Sequence, residues 1–319
     1  MAGNFYSGDT PEKSWEELCD TVAPALIGQS FDGPEDWNRV LDALPAGNFT
    51  KTGVETAFWD LAAQRQNKPL HELLGGAAAE VKSGLAVGLY DDLNDMLRTV
   101  EKYLKDGYHR VKLKIEPGRD IEVVKAARKH FGDIPLFVDA NAAYSLKDLD
   151  VFRGLDEFGL MMFEQPLGTS ALEDSAELQR QVKTPVCLDE SLHSVSQLKR
   201  AIELKSFQIA NFKIQRIGGF QRALEMIQIC RDNQINAWVG TMPELGIGQA
   251  QGAALASRGE FVFPTDVEAS TRWFRDDIIS PLLNVHGGNI ALPSTPGLGY
   301  SIDEGKMKQY AVASRQFPG

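Results

Sequence analysis

Two lysines, Lys112 and Lys114, interrupt the apolar stretch "VKLKI". Residues two apart in a strand point to one face, so both ammonium groups project together, about 7 Å apart. A solvated strand face is the plain reading of an isolated Lys-x-Lys. Three acids further on argue otherwise, because each ends a similar apolar stretch: Asp139 in "FVDAN", Glu164 in "FEQP" and Asp189 in "CLDES". Lys213 follows in "NFKI". Singly, each acid reads equally well as a salt bridge or a helix cap. Successive acids, however, stand 25 residues apart, the length of one strand-helix unit. That interval brings three carboxylates to adjacent strands at equivalent heights. Carboxylates so placed raise one another's pKa unless a cation compensates them. A hard, oxygen-seeking divalent ion such as Mg²⁺ does so.

The elements that would position these groups alternate regularly from residue 82. Short apolar stretches ("KSGLAVGLY", "RVKLKI", "IPLFVDAN", "LMMFEQPL", "TPVCLDES", "SFQIANFKI", "INAWVGTM") are each followed by a helical pattern, and "FVFPTDVEAS" ends the series. Eight strands in βα alternation imply a parallel sheet, and that number implies closure into a barrel. In such barrels chemistry gathers at the C-terminal ends of the strands, where the lysines and acids fall. Residues 1–81 carry amphipathic helical segments without a clear strand, among them "NFTKTGVETAFWDLAAQRQ" with Asn48 as its expected N-cap. Residues 82–285 form the barrel, and 286–319 are loop-like and must pack elsewhere.

The chain has 319 residues and a net charge of −11, which argues against nucleic-acid partners and anionic membrane surfaces. No apolar run approaches the ~20 residues of a membrane helix. The N-terminus has neither the basic start nor the apolar stretch of a signal peptide. Cys19, Cys187 and Cys230, odd in number and far apart, suit reduced thiols in a cytoplasm. The five histidines show no metal-ligand spacing, and no glycine cluster matches a phosphate-binding loop. Trp59, Trp238 and Trp273 read as core or cap packing.

The order KxK, DAN, EQP, DES and a lone strand-six lysine resembles the enolase superfamily, in its muconate-lactonizing-enzyme-like subgroup. "GNFTKTGVETAFWDLAAQRQNKPLHELLGG", "NFKIQRIGG", "GTMPELGIGQA" and "DVEASTRWFRDDI" are similar to the o-succinylbenzoate synthase and N-acylamino acid racemase group. The likeness runs from about residue 10 to 310. It implies a (β/α)7β TIM-type barrel with an α+β capping domain. It makes Asp139, Glu164 and Asp189 ligands of one Mg²⁺ or Mn²⁺ ion. Lys114 becomes the acid/base on one face of the substrate, with Lys213 on the opposite face. Lys112 becomes an auxiliary cation that keeps the pKa of Lys114 low. Glu244 in "MPELG" matches a position of the family near the substrate, with an acid at a helix N-terminus as the alternative reading. Asn141 and Glu190 support the metal ligands from behind.

The implied reaction begins with removal of a proton α to a carboxylate, giving a metal-stabilised enediolate. In the synthase a syn elimination of water follows, a lyase step in menaquinone biosynthesis; in the racemase, Lys114 and Lys213 work on opposite faces of an N-acylamino acid. The partner is then a small carboxylate, and a homo-oligomer is left open. Two departures stand out. The group's "KPGR" reads "KIQR" here, with Ile214 and Gln215 for Pro-Gly. The β-rich start of the capping domain also looks absent, from a misplaced start or a truncation. The segment around "GNIALPSTPGLGY" would then have an unpaired edge unless something else covers it. A third reading follows from that loss: a catalytically impaired barrel serving as a binding protein.

Overall fold

The computed structural model describes residues 9–317; residues 1–8, part of the stretch read above for a signal peptide, lie outside them. Three helices build most of the N-terminal region. Pro11–Glu17 starts under the Thr10 side chain and continues through a wider turn at Leu18–Val22 into Ala23–Leu26. Pro34–Ala43 and Asn48–Arg65 follow. Gly47, not Asn48, is the N-cap of the last. The Asn48 amide instead donates to the Arg216 carbonyl at 2.6 Å, tying this helix to the main sheet's loops.

That tie is one of several. Trp37 stacks on Phe58 and meets Trp59 edge-on, and Trp59 in turn packs against Phe220. Glu55, fully buried, accepts hydrogen bonds from the Phe220 and Gln221 backbone N–H groups at 2.9 and 3.0 Å and from Trp59 Nε1 at 2.7 Å. It thereby satisfies the first free amides of helix Phe220–Asp232, which has no side-chain cap of its own.

Eleven strands are assigned among the described residues: β1 Glu80–Lys82, β2 Leu85–Val87, β3 Val111–Lys114, β4 Leu136–Asp139, β5 Phe163–Glu164, β6 Val186–Leu188, β7 Ile209–Phe212, β8 Asn236–Val239, β9 Ile279–Ser280, β10 Asn289–Ala291 and β11 Ser301–Ile302. Strands β2 to β8 form one curled, all-parallel sheet in chain order. The expected eighth strand is not regular. Residues 261–267 make only isolated bridges, at Phe261 with Ala237 and Thr265 with Ser83. Pro264, which has no N–H to donate, interrupts that ladder. The segment nevertheless bonds both sheet edges: Gly84 N–H donates to the Thr265 carbonyl at 2.8 Å, and Asp266 N–H to the Val239 carbonyl at 3.1 Å.

The C-terminal segment corrects a second expectation. Its edge is not left open, because β10 pairs antiparallel with β1, Val81 opposite Ile290, and β11 pairs with β9. The stretch read as the first strand, "KSGLAVGLY", thus belongs to two ladders: Lys82 ends β1, and β2 opens the main sheet.

Side-chain alternation layers the concave face of the sheet. Phe137, Met162, Cys187, Ile209 and Trp238 form an apolar floor. Two residues further along the first four strands stand Asp139, Glu164, Asp189 and Asn211. The charged groups therefore sit on a dry base.

Candidate active site

Strand register decides which groups meet. Lys114 lies opposite Asp139, and Asp139 opposite Glu164. Glu164 pairs with Cys187, so Asp189 stands two residues further along its strand than the register partner of Glu164, in the same layer above the apolar floor. All three acids are buried.

Each acid is held by cations or amides. Asp139 lies 3.2 Å from Lys114 Nζ and 3.6 Å from Lys112 Nζ, and accepts the Asn141 N–H at 3.0 Å. Asp189 receives Lys213 Nζ at 2.8 Å and Arg216 Nη1 at 2.6 Å. Burial alone would raise its carboxyl pKa, but Arg216 and Lys213 outweigh that and hold it well below the usual range. Glu164 takes the Asn211 amide at 2.7 Å on Oε1, while its buried Oε2 accepts no hydrogen bond even with Lys112 Nζ at 3.3 Å. Burial, reinforced by Asp139, pushes its carboxyl up to about 8.

Among the described residues, no three His, Cys, Asp or Glu side chains converge as a metal-binding group, so the expected trio is not assembled as its members lie. The bonds above explain why: each acid is turned toward its own nitrogen partner. The donor set still suits a hard divalent ion. It is all oxygen, it includes an orphaned buried carboxylate oxygen, and Glu190 behind it carries another on Oε2. Burial, with Asp189 and Asp139 nearby, raises the Glu190 carboxyl to about 7.

Asn141 bridges the two sides, receiving Lys114 Nζ on Oδ1 and donating through Nδ2 to Glu190 at 2.9 Å. Its φ of +42° is left-handed, a conformation that costs a non-glycine residue energy and recurs at functional sites. Lys112 is buried beneath. Burial alone would lower its pKa, yet Asp266, Glu164 and Asp139 prevail and hold it well above the ordinary lysine value. Lys213, also buried, is likewise raised, Asp189 outweighing desolvation.

A cavity of about 470 Å³ opens over this layer. Lys112, Lys114, Asp139, Asn141 and Lys213 line it, while Leu89, Met242 and Trp273 give it apolar wall. Trp273 is half exposed at this rim, which corrects its reading as a packing residue. Glu244 does not line the cavity. It accepts the Met242 N–H at 3.0 Å and a bond from Gln215, and burial raises its carboxyl to about 7. Gln215, one of the two departures in "KIQR", thus has a partner in the neighbouring loop.

Several functional groups escaped the sequence reading. Asp266 binds both Lys112 and Arg110, Asn211 holds Glu164, and Arg216 holds Asp189. Asn211 alone carried a usable signal: it stands two residues before Lys213, on the same face of β7.

The family follows from comparison. Residues 95–306 match the profile described as enolase C-terminal domain-like, and residues 2–75 that of the mandelate racemase / muconate lactonizing enzyme N-terminal domain. The o-succinylbenzoate synthase of Bacillus subtilis (strain 168) is 40% identical over 308 residues, covering 97% of this chain and 83% of that protein. The N-succinylamino acid racemase of Thermus thermophilus is 38% identical over 298 residues, covering 93% and 81%. Among solved structures, an enolase superfamily member from Listeria innocua superposes with a TM-score of 0.92 at 36% identity, covering 97% of this chain and 84% of that one. The chain belongs to the enolase superfamily, in its muconate-lactonizing-enzyme subgroup. The match at residues 2–75 also corrects the expectation of an incomplete capping domain, and with it the premise of the impaired-barrel reading.

Proposed function

We propose that this chain is an o-succinylbenzoate synthase, a carbon–oxygen lyase of menaquinone biosynthesis acting in the cytoplasm on a small carboxylate. The observation that carries the reading is the placement of Lys114 and Lys213 on β3 and just beyond β7, facing one cavity above three buried acids. On this reading the curled sheet is a (β/α)7β barrel over residues 82–285, capped by residues 1–81 and joined by the returning segment 286–319.

Asp139, Glu164 and Asp189 would hold one Mg²⁺ or Mn²⁺ ion. When bound, that ion supplies Lewis-acid stabilisation of charge on the substrate carboxylate. Lys114 Nζ takes the proton α to that carboxylate, and the same nitrogen returns it to the hydroxyl on the adjacent carbon, which departs as water. Asn141 and Asp139 fix Lys114 for both transfers. Lys112 remains a cation beside it, and Lys213 supplies positive charge from the far flank. Apolar groups such as Leu89 and Met242 line the wall over the reacting carbons.

A racemase reading rests on the same two lysines and on the 38% identity to the Thermus protein. One lysine would remove the α-proton of an N-succinylamino acid and the other deliver a proton to the opposite face. Two assays on the purified chain with Mg²⁺ decide. Aromatic absorbance should grow from the hydrated cyclohexadiene acid that loses water to give o-succinylbenzoate. An N-succinylamino acid in D₂O should be followed for α-deuteration and loss of optical rotation. Absence of the first signal with the second present would overturn the synthase in favour of the racemase.

A further inference from the structure

Lys112 has three acids within reach. Its Nζ is hydrogen-bonded to Asp266, lies 3.3 Å from Glu164 Oε2 and 3.6 Å from Asp139 Oδ2. A buried ammonium settles where the surrounding charge is most favourable. If it moved fully onto Glu164 and Asp139, it would neutralise two of the acids reserved above for a cation.

We propose that Asp266 is a positioning residue that draws the Lys112 ammonium back from Glu164 and Asp139 and leaves their oxygens open to a divalent ion. The proposal rests on the metal-binding part of the reading above.

The backbone of Asp266 is fixed at both ends, its N–H donating to the Val239 carbonyl at 3.1 Å and its C=O receiving Thr241 Oγ1 at 3.2 Å. Its second carboxylate oxygen is bound by Arg110, which is itself locked. The Arg110 guanidinium lies 4.9 Å from the Phe137 ring centre and 5.1 Å from that of Trp238, and donates to the Pro264 carbonyl at 3.2 Å. Gly84 leaves it room, since a β-carbon there would stand 2.3 Å from Arg110 Nε. Asp266 can therefore neither rotate toward the acids nor follow Lys112 toward them. Arg110 and Lys112 also compensate its charge in a dry interior.

The test compares metal binding, not only turnover. Wild type, Asp266→Asn, Lys112→Met and the Asp266→Asn/Lys112→Met double variant are stripped by chelation and titrated with Mn²⁺, following the free-ion paramagnetic resonance signal. Asp266→Asn should bind Mn²⁺ about 10- to 100-fold more weakly. The double variant, with no ammonium left to intrude, should recover to within about twofold of Lys112→Met. An unchanged affinity in Asp266→Asn, or a double variant as weak as that single, would overturn the proposal and leave Asp266 a structural plug. If Asp266→Asn does not fold because Arg110 loses its partner, the charge-balanced Arg110→Gln/Asp266→Asn pair replaces it, with the same expectation and the same rescue by Lys112→Met. A wild type that binds Mn²⁺ but turns over neither substrate counts against the reaction alone, and the variants still decide on Asp266. A wild type that binds no Mn²⁺ overturns both.

Discussion

At the scale of single residues, Lys114 and Glu164 have different work and should fail differently. Lys114 bonds Asp139 and Asn141 at the rim of the acid layer, so Lys114→Ala should leave melting temperature nearly unchanged and cut kcat by about 10²- to 10⁴-fold. A variant that kept a tenth of wild-type turnover would show that the base lies elsewhere. Glu164→Gln keeps the shape but surrenders a charge, so divalent ions should bind more weakly and activity should need more of them. Exhaustive chelation should abolish turnover in wild type, and added Mg²⁺ or Mn²⁺ should restore it; full activity in excess chelator would remove the metal from the scheme. These acids were legible in the sequence because each ends an apolar strand. Asp266 was not, because its meaning lies in contact with Lys112 across 154 residues of chain, and only the folded chain brings the two together. Arg216 escaped similarly: its guanidinium reaches back under β7 to Asp189, in a loop whose sequence departs from the group's pattern.

At the scale of elements, the docking of helix Asn48–Arg65 turns on Glu55. Its carboxylate satisfies two backbone amides and an indole in a fully buried place, so Glu55→Ala should destabilise the fold by about 2–4 kcal/mol, read by urea unfolding. The pH dependence has a definite sign. Burial holds the carboxyl above its ordinary 4.5, outweighing the lowering from the amides, Trp59 and Asn38. Above pH 4.5 the unfolded chain therefore releases a proton that the folded protein retains. The contribution of Glu55 is thus largest below 4.5 and declines as pH rises through the folded value. Glu55→Gln should flatten that part of the stability-pH curve, and an unaltered slope would mean that other groups carry it. The helix itself was legible from its apolar spacing. Its cap was not, because Asn48 looks outward to Arg216 instead of inward to its own first turn. The last stretch of the strand-helix series was legible as apolar but not as irregular, although Pro264 in its middle was the available sign.

At the scale of the whole molecule, the returning C-terminal segment adds a further tie between the capping region and the sheet. Leu298 N–H donates to Asp60 on the cap helix at 2.6 Å, and Leu70 N–H donates to the Gly297 carbonyl at 2.7 Å. Strand β10 meanwhile pairs with β1, immediately before β2 opens the main sheet. Ile290 packs in a small separate core with Val81, Ala250, Ala253, Val267, Ile279 and Leu283, which joins helix Gly246–Ala256 to both segments. Had this edge been unpaired, residues 286–305 would exchange hydrogen fastest. The ladder reverses that expectation. The amides of Leu292, bonded to the Ala79 carbonyl at 2.9 Å, and of Ser83, bonded to the Gly288 carbonyl at 2.7 Å, should exchange as slowly as those of β3 and β7. Ile290→Ala should cost about 2–5 kcal/mol by cavity formation and should accelerate exchange at both amides together, since one small core holds both strands. Exchange at Leu292 that is fast in wild type, or unaffected by Ile290→Ala, would mean that the segment rests on the sheet without being held by it.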